Sequence, residues 1–163
     1  MKKPKVLHII IEGSDKTGKS KVCKKLSKLL DLPIIKMPDM DRYFSTEPEE
    51  FSEMFNKTVA QFAHTPFIMD RGYPSSIIYS SYFKRLYDLS YLEEVTKKLK
   101  AKVFVLDVKP REQDDLINPL QQDQIRELYI EFANNYDWSI IYCENRSVSD
   151  ICETIIDLIN DRK

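Results

Sequence analysis

Val6-Leu7-His8-Ile9-Ile10-Ile11-Glu12-Gly13-Ser14-Asp15-Lys16-Thr17-Gly18-Lys19-Ser20 is the stretch on which the reading of this 163-residue chain turns. Val6 to Ile11 is a β-branched and aliphatic run, the pattern of a strand buried on both faces of a parallel sheet. From Gly18 to Leu30, apolar residues recur at Val22, Leu26, Leu29 and Leu30, which is helical spacing. The turn between them, Gly13 to Ser20, matches G-x-x-x-x-G-K-[ST] in full. A strand before that pattern and a helix after it are the setting it requires.

Each position of the turn has a physical reason. Gly13 and Gly18 permit backbone angles that let the N–H groups of Ser14, Asp15, Lys16 and Thr17 converge on phosphate oxygens. The helix that starts near Gly18 brings its positive dipole end to the same place. Lys19 is placed to reach the β and γ phosphates, and the Ser20 hydroxyl to ligate magnesium. Only three glycines occur in the chain, and two of them stand here at the required interval. The pattern implies binding of ATP or GTP and leaves open what is phosphorylated.

Outward from this stretch, strands and helices alternate. Pro33 to Lys36 and Phe67 to Met69, ending at Asp70, read as the next two strands. Lys102 to Val108 and Trp138 to Tyr142 read as the last two. Thr46-Glu47-Pro48-Glu49 has the form of a capping box. It opens a helix to about Ala63 with Phe51, Phe55, Val59 and Phe62 on one side. A helix from about Ser75 to Leu86 follows, and Ser90-Tyr91-Leu92-Glu93 is a second capping box for a helix ending near Leu99. Further helices run from about Pro119 to Asn134 and from Ser147 to Ile159. The alternation points to a single three-layer α/β/α domain on a five-stranded parallel sheet, the P-loop NTPase fold, with the first strand near the centre. Lys109 to Gln124, polar and flanked by Pro110 and Pro119, is expected to form a mobile lid that excludes water on closure.

Composition narrows the function class. Hydrophobic residues at 42% and charged residues at 31% are ordinary for a globular domain. The longest apolar runs are too short to cross a bilayer, MKKPKV lacks a signal-peptide pattern, and Cys23, Cys143 and Cys152 form no disulfide or metal framework. The expectation is a cytoplasmic protein with reduced thiols and no membrane partner. Net charge is −1, so nucleic acid is an open but unfavoured partner. Of the nine lysines among the first 30 residues, those outside the loop read as a solvated helix face.

The residues resemble the thymidylate kinase family. Ile11 to Ser20 (IEGSDKTGKS) is similar to its E-G-x-D-x-x-G-K-S opening, and Asp70-Arg71-Gly72-Tyr73-Pro74-Ser75-Ser76 to its D-R-Y-x-x-S segment. Lys102 to Glu112 resembles its strand ending L-D-V-x-P-E, and Asn145-Arg146-Ser147 its late turn beside the adenine. The resemblance implies that Asp15 contacts the acceptor sugar, that Arg71 clamps the acceptor 5′-phosphate, and that Asp70 holds a magnesium-bound water. It also implies that Lys16, a basic residue inside the loop, supplies charge to the transferring phosphoryl group. Tyr79 is the aromatic of the same acceptor segment. Where the family has F-P-x-R, this chain has Met37-Pro38-Asp39-Met40-Asp41-Arg42, with Arg42 displaced by two positions. Gly72 stands where a tyrosine is usual, and Ser80 where a glutamine often follows.

The leading expectation is an ATP-dependent kinase, with magnesium, acting on a nucleoside monophosphate. A kinase acting on a hydroxyl (of a nucleoside, a nucleic-acid end or a modified base) stands beside it, with Glu12 or Asp39 as base. A non-catalytic nucleotide-binding module is the third reading. Phe62, Phe67 and Tyr43 are candidates for stacking an acceptor base, although their spacing suits core residues better. His8 reads as hydrogen-bonded within the sheet. A homodimer through the Phe51/Phe55 helix stands against simple core packing of that helix.

Overall fold

β1 (His8–Glu12) is buried along its whole length, as its apolar run requires of a strand covered on both faces. It is the middle strand of a sheet ordered β2-β3-β1-β4-β5. The others are β2 (Ile34–Lys36), β3 (Phe67–Asp70), β4 (Lys102–Asp107) and β5 (Ser139–Tyr142). All pairings are parallel; Ile10 stands opposite Met69 on one side and Val103 on the other. The computed structural model of the chain describes residues 7–14, 17–36, 48–84, 88–109 and 119–161, and of 48–52 the backbone only.

Six helices cover the sheet among these residues: α1 (Lys19–Leu30), α2 (Pro48–Ala60), α3 (Tyr73–Tyr82), α4 (Tyr91–Leu99), α5 (Pro119–Tyr136) and α6 (Val148–Asn160). The two-residue period of β1 sends its isoleucines to opposite layers. Ile9 and Ile11 pack with Val22, Leu26 and Ile155 of α1 and α6. Ile10 packs with Val59, Ile78, Val95 and Ile125 of α2, α3, α4 and α5. The expected three-layer α/β/α arrangement on a five-stranded parallel sheet is present. No helix among the described residues is long and apolar enough to cross a membrane.

Local expectations fail where a tertiary contact overrides them. α3 starts at Tyr73 rather than Ser75 and ends at Tyr82 rather than Leu86; Lys84, at φ 52°, leaves the helical region. Ser90 does not cap α4. Its own N–H donates to Asp88 Oδ1 at 3.0 Å, so the expected capping box is replaced by an aspartate two residues earlier. α2 stops at Ala60, and successive i→i+3 bonds from Gln61, Phe62 and Ala63 tighten the chain. That tightening rotates Phe62 off the apolar stripe, leaving it 52% exposed, while Val59 and Phe67 are core. Phe55 packs on the core from a half-buried position. Thr46, Glu47, Tyr43, the Met37 to Arg42 segment and the Phe51 side chain lie outside the described residues.

His8 lies within the sheet as expected, with Nδ1 2.9 Å from the Leu99 carbonyl oxygen and Nε2 3.1 Å from that of Thr65. Burial outweighs the two carbonyls and lowers its pKa. All three thiols are buried and free. Burial raises each of them, Cys143 to about 11, so they are protonated and unreactive at neutral pH.

Candidate active site

The carboxyl ends of β1, β3 and β4 converge where an open α/β sheet places its ligand crevice. β1 runs directly into the glycine-rich loop. Gly13 has φ 144° and Gly18 has φ 85°, conformations that favour glycine. A Cβ on Gly13 would lie 2.9 Å from the Leu106 carbonyl oxygen, so β4 packs flush against the loop. Lys19, at the first turn of α1, is buried. Its ammonium donates to the Ser14 carbonyl at 2.7 Å and to Thr17 Oγ1 at 3.3 Å. Ser14 and Thr17 of the loop are thereby tied to one cation at the amino end of α1. Such an arrangement can act as a cradle for an oligophosphate.

Ser20 and Asp70, 50 residues apart, meet across this cradle: Ser20 Oγ donates to Asp70 Oδ2 at 2.7 Å. Asp70 is buried at the end of β3, whereas Ser20 is exposed at the start of α1. Two hard oxygen donors beside a phosphate cradle fit magnesium, which takes one or two protein oxygens and completes its shell with water and phosphate. Among the described residues no group of three or more His, Cys, Asp or Glu could hold a metal by itself.

Arg71 follows immediately, at φ 66°, a conformation that costs an L-residue about 1–2 kcal/mol. Its N–H donates to the Ile11 carbonyl at 3.1 Å. Its guanidinium lies against Tyr79, with Nη1 donating to the phenol oxygen at 2.9 Å and the ring centroid 5.2 Å away. Arg71 and Tyr79, both expected on the acceptor side, are thus in contact with each other. A Cβ on Gly72 would stand 3.2 Å from two Ile10 side-chain carbons, so this close approach to β1 suits glycine where the resemblance led one to expect tyrosine.

Glu12 contradicts its expected part as a base for a hydroxyl acceptor. It is fully buried. Its Oε1 accepts from the N–H groups of Gly72 (2.7 Å) and Ser75 (3.3 Å), and its Oε2 from Ser75 Oγ (2.7 Å) and Tyr129 OH (2.9 Å). Burial pushes its carboxyl above the usual range, and the Arg71 charge pulls the other way. With both oxygens occupied and no exposed face, it has no path to a substrate proton. Sequence reasoning missed Tyr129 and Ser75 as its partners. Arg126 on α5 was missed as well. It forms a forked contact to the buried Asp107 at the end of β4, and its other nitrogen donates to Asp123 at 3.2 Å.

The remaining expected residues fall elsewhere. Asp15, Lys16, Arg42 and Asp39 lie outside the described residues, as do 110–118 of the expected lid. Its last part, from Pro119, is the first turns of α5. Asn145 takes φ 60° at an exposed turn. The Arg146 guanidinium turns along α6, donating to the Asp150 carbonyl at 2.9 Å and to Thr154 Oγ1. Ser147 caps α6 by accepting from the Asp150 N–H at 3.1 Å.

Comparison with known proteins agrees with this geometry. No protein-family model matches the chain. An SPbeta prophage-derived uncharacterized protein, YorR of Bacillus subtilis (strain 168), is 35% identical over 150 residues, spanning 80% of this chain and 87% of that protein. A crystal structure of YorR from Bacillus subtilis in complex with phosphorylated GDP superposes with a TM-score of 0.70 at 32% identity, covering 94% of this chain and 95% of that one. Thymidylate kinase from Candida albicans shares the fold at TM-score 0.68 and 17% identity, covering 96% and 92% of the two chains. Deoxyadenosine kinase from M. mycoides, with products dCMP and dCDP, shares it at 0.66 and 19%, covering 94% and 99%. Its sequence and its architecture together show that the chain belongs to the family of YorR, on the fold of the P-loop nucleoside monophosphate kinases.

Proposed function

We propose that this protein is an ATP-dependent kinase that transfers the γ-phosphoryl group to a nucleoside monophosphate. The carrying observation is the Ser20–Asp70 oxygen pair beside the loop that Lys19 bonds, with Arg71 next in the chain after Asp70. A loop cation, two oxygens for magnesium and a second cation on the residue after Asp70 are the parts that phosphoryl transfer uses for positioning and charge neutralisation. In the step, an acceptor phosphate oxygen bonds to the γ-phosphorus. The bond from that phosphorus to the β,γ-bridging oxygen breaks, and ADP leaves with the bridging oxygen. Lys19 and the loop N–H groups hold the donor phosphates, and Arg71 holds the acceptor phosphate by a charge-assisted contact. When bound, magnesium would neutralise charge on the donor phosphates from Ser20 and the water held by Asp70. Lys16 adds charge to the transferring group, with Asp15 on the acceptor sugar.

The burial of Glu12 favours a phosphate over a hydroxyl acceptor. An acceptor phosphate is already ionised at neutral pH, whereas a hydroxyl profits from a carboxylate base. Because the relative YorR was crystallised in complex with phosphorylated GDP, purine monophosphates are included among the acceptors. The test is an ADP-release assay with Mg-ATP across dTMP, dUMP, dCMP, dGMP, GMP and dAMP, with free deoxynucleosides and an oligonucleotide as the hydroxyl arm. Turnover with at least one monophosphate and none with the hydroxyl arm is expected. Turnover confined to the hydroxyl arm would reverse the assignment, and ATP binding without any transfer would leave a nucleotide-binding module.

A further inference from the structure

Helix α3 begins without a cap of its own. Its N-cap residue is Gly72, which has no side chain, and Pro74 in its first turn has no N–H. The amino end of a helix leaves N–H groups that need an acceptor and a positive dipole that favours a carboxylate. Glu12 supplies both from another strand. Its Oε1 accepts from Gly72 and Ser75, at the N-cap and third helical positions. Meanwhile Ile11, its neighbour, accepts from Arg71. β1 thus grips the backbone on both sides of Arg71, the residue held at φ 66°. An unfavourable conformation of this kind persists only where surrounding contacts over-determine it.

The other half of the carboxylate is fixed from α5. Tyr129, fully buried, donates to Oε2 at 2.9 Å and lies 3.1 Å from Ser75 Oγ, which donates to the same oxygen at 2.7 Å. Three chain segments, at positions 12, 71–75 and 129, therefore converge on one carboxyl group. Among the described residues no buried side-chain nitrogen or oxygen lacks a partner, so the loss of one donor has no spare to replace it. Resting on the kinase reading above, the geometry points to Glu12 as a positioning residue for Arg71: it caps α3 from β1, and Tyr129 and Ser75 hold it in that cap. Through it, the strand that carries the donor loop also sets where the acceptor-side guanidinium stands against Tyr79.

Tyr129→Phe removes one donor with little change of shape and lies far from the phosphate loop in sequence; Ser75→Ala is the second variant and Glu12→Gln the third. Each is assayed for the KM of ATP and of the acceptor, alone and with Arg71→Ala. Hydrogen exchange of the 67–75 backbone is read in parallel. For Tyr129→Phe, acceptor KM is expected to rise roughly ten- to a hundredfold, as loss of a buried bond to a carboxylate implies, with ATP KM within about twofold. In the Arg71→Ala background the same substitution should add nothing, because its effect passes through Arg71. Exchange should quicken at Gly72 and Ser75 and stay slow in β1. Unchanged exchange at Gly72, equal shifts in both KM values, or additivity with Arg71→Ala would each overturn the assignment. A wild-type protein that phosphorylates no acceptor would refute the kinase reading instead, while the exchange measurement still decides whether Tyr129 and Glu12 hold the corner.

Discussion

Alanine at Gly13 and alanine at Gly18 are the same chemical change in the same loop, yet the structure assigns them different costs. At Gly18, φ is 85° and a new Cβ meets nothing within 4 Å. The cost is that of one L-residue in the left-handed region, about 1–2 kcal/mol. At Gly13, φ is 144° and the Cβ would lie 2.9 Å from the Leu106 carbonyl oxygen and 3.2 Å from Thr17 Oγ1. The backbone conformation alone costs about 1–3 kcal/mol. The contact with a backbone oxygen, which cannot rotate away, adds about 1–3 kcal/mol more, as overpacking does elsewhere.

A domain of this size loses about 2–4 °C of Tm per kcal/mol. Gly18→Ala should therefore lower Tm by about 2–8 °C and Gly13→Ala by about 4–24 °C. Nucleotide binding should separate them further. The crowded Thr17 Oγ1 is a hydrogen-bond partner of Lys19, so Gly13→Ala should displace the ammonium proposed to hold the donor phosphates. The assay is calorimetric unfolding with and without Mg-ATP. Saturating ligand should raise Tm strongly for the wild type, less for Gly18→Ala and little for Gly13→Ala. If Gly13→Ala melts no lower than Gly18→Ala, or keeps the full ligand shift, the packing of β4 against the loop is not what the distances imply.

Asp70→Asn should lower turnover by a factor on the order of 10² while the protein still binds ATP, because it weakens the oxygen pair proposed to take magnesium; steady-state kinetics against magnesium concentration measures this. Lys16→Ala should reduce kcat on the order of 10³-fold with little loss of ATP affinity, and an unchanged kcat would remove Lys16 from the transition state. For His8, burial holds the folded pKa below the unfolded value of 6.5, so the unfolded chain takes up the proton first. Its contribution to stability is full above about pH 6.5 and is lost as pH falls through the lower folded pKa. Urea midpoints at about pH 7.5 and about pH 5.5 should differ more for the wild type than for His8→Gln, which keeps an N–H donor but does not titrate.

What could be read without the fold is what local order encodes. A strand buried on both faces must be continuously apolar, a phosphate loop must place its glycines and lysine at set intervals, and helices must repeat near 3.6 residues. Those rules give β1, the loop with Lys19 and Ser20, α1 and the five parallel strands; the resemblance to the thymidylate kinases is what pointed to Asp70 and Arg71. What only the tertiary structure decided depends on contacts between distant segments. Asp70 reaches Ser20 across 50 residues and Tyr129 reaches Glu12 across 117, separations at which no pattern along the chain signals a partner. The same reason explains the errors. Glu12 has the chemistry of a base, but its neighbours turn it into a helix cap; Ser90 has the chemistry of a cap, but its side chain makes no cap bond and its N–H donates to Asp88. Residue type and spacing determine what a group can do, and the field of donors and acceptors that folding assembles around it determines what it does.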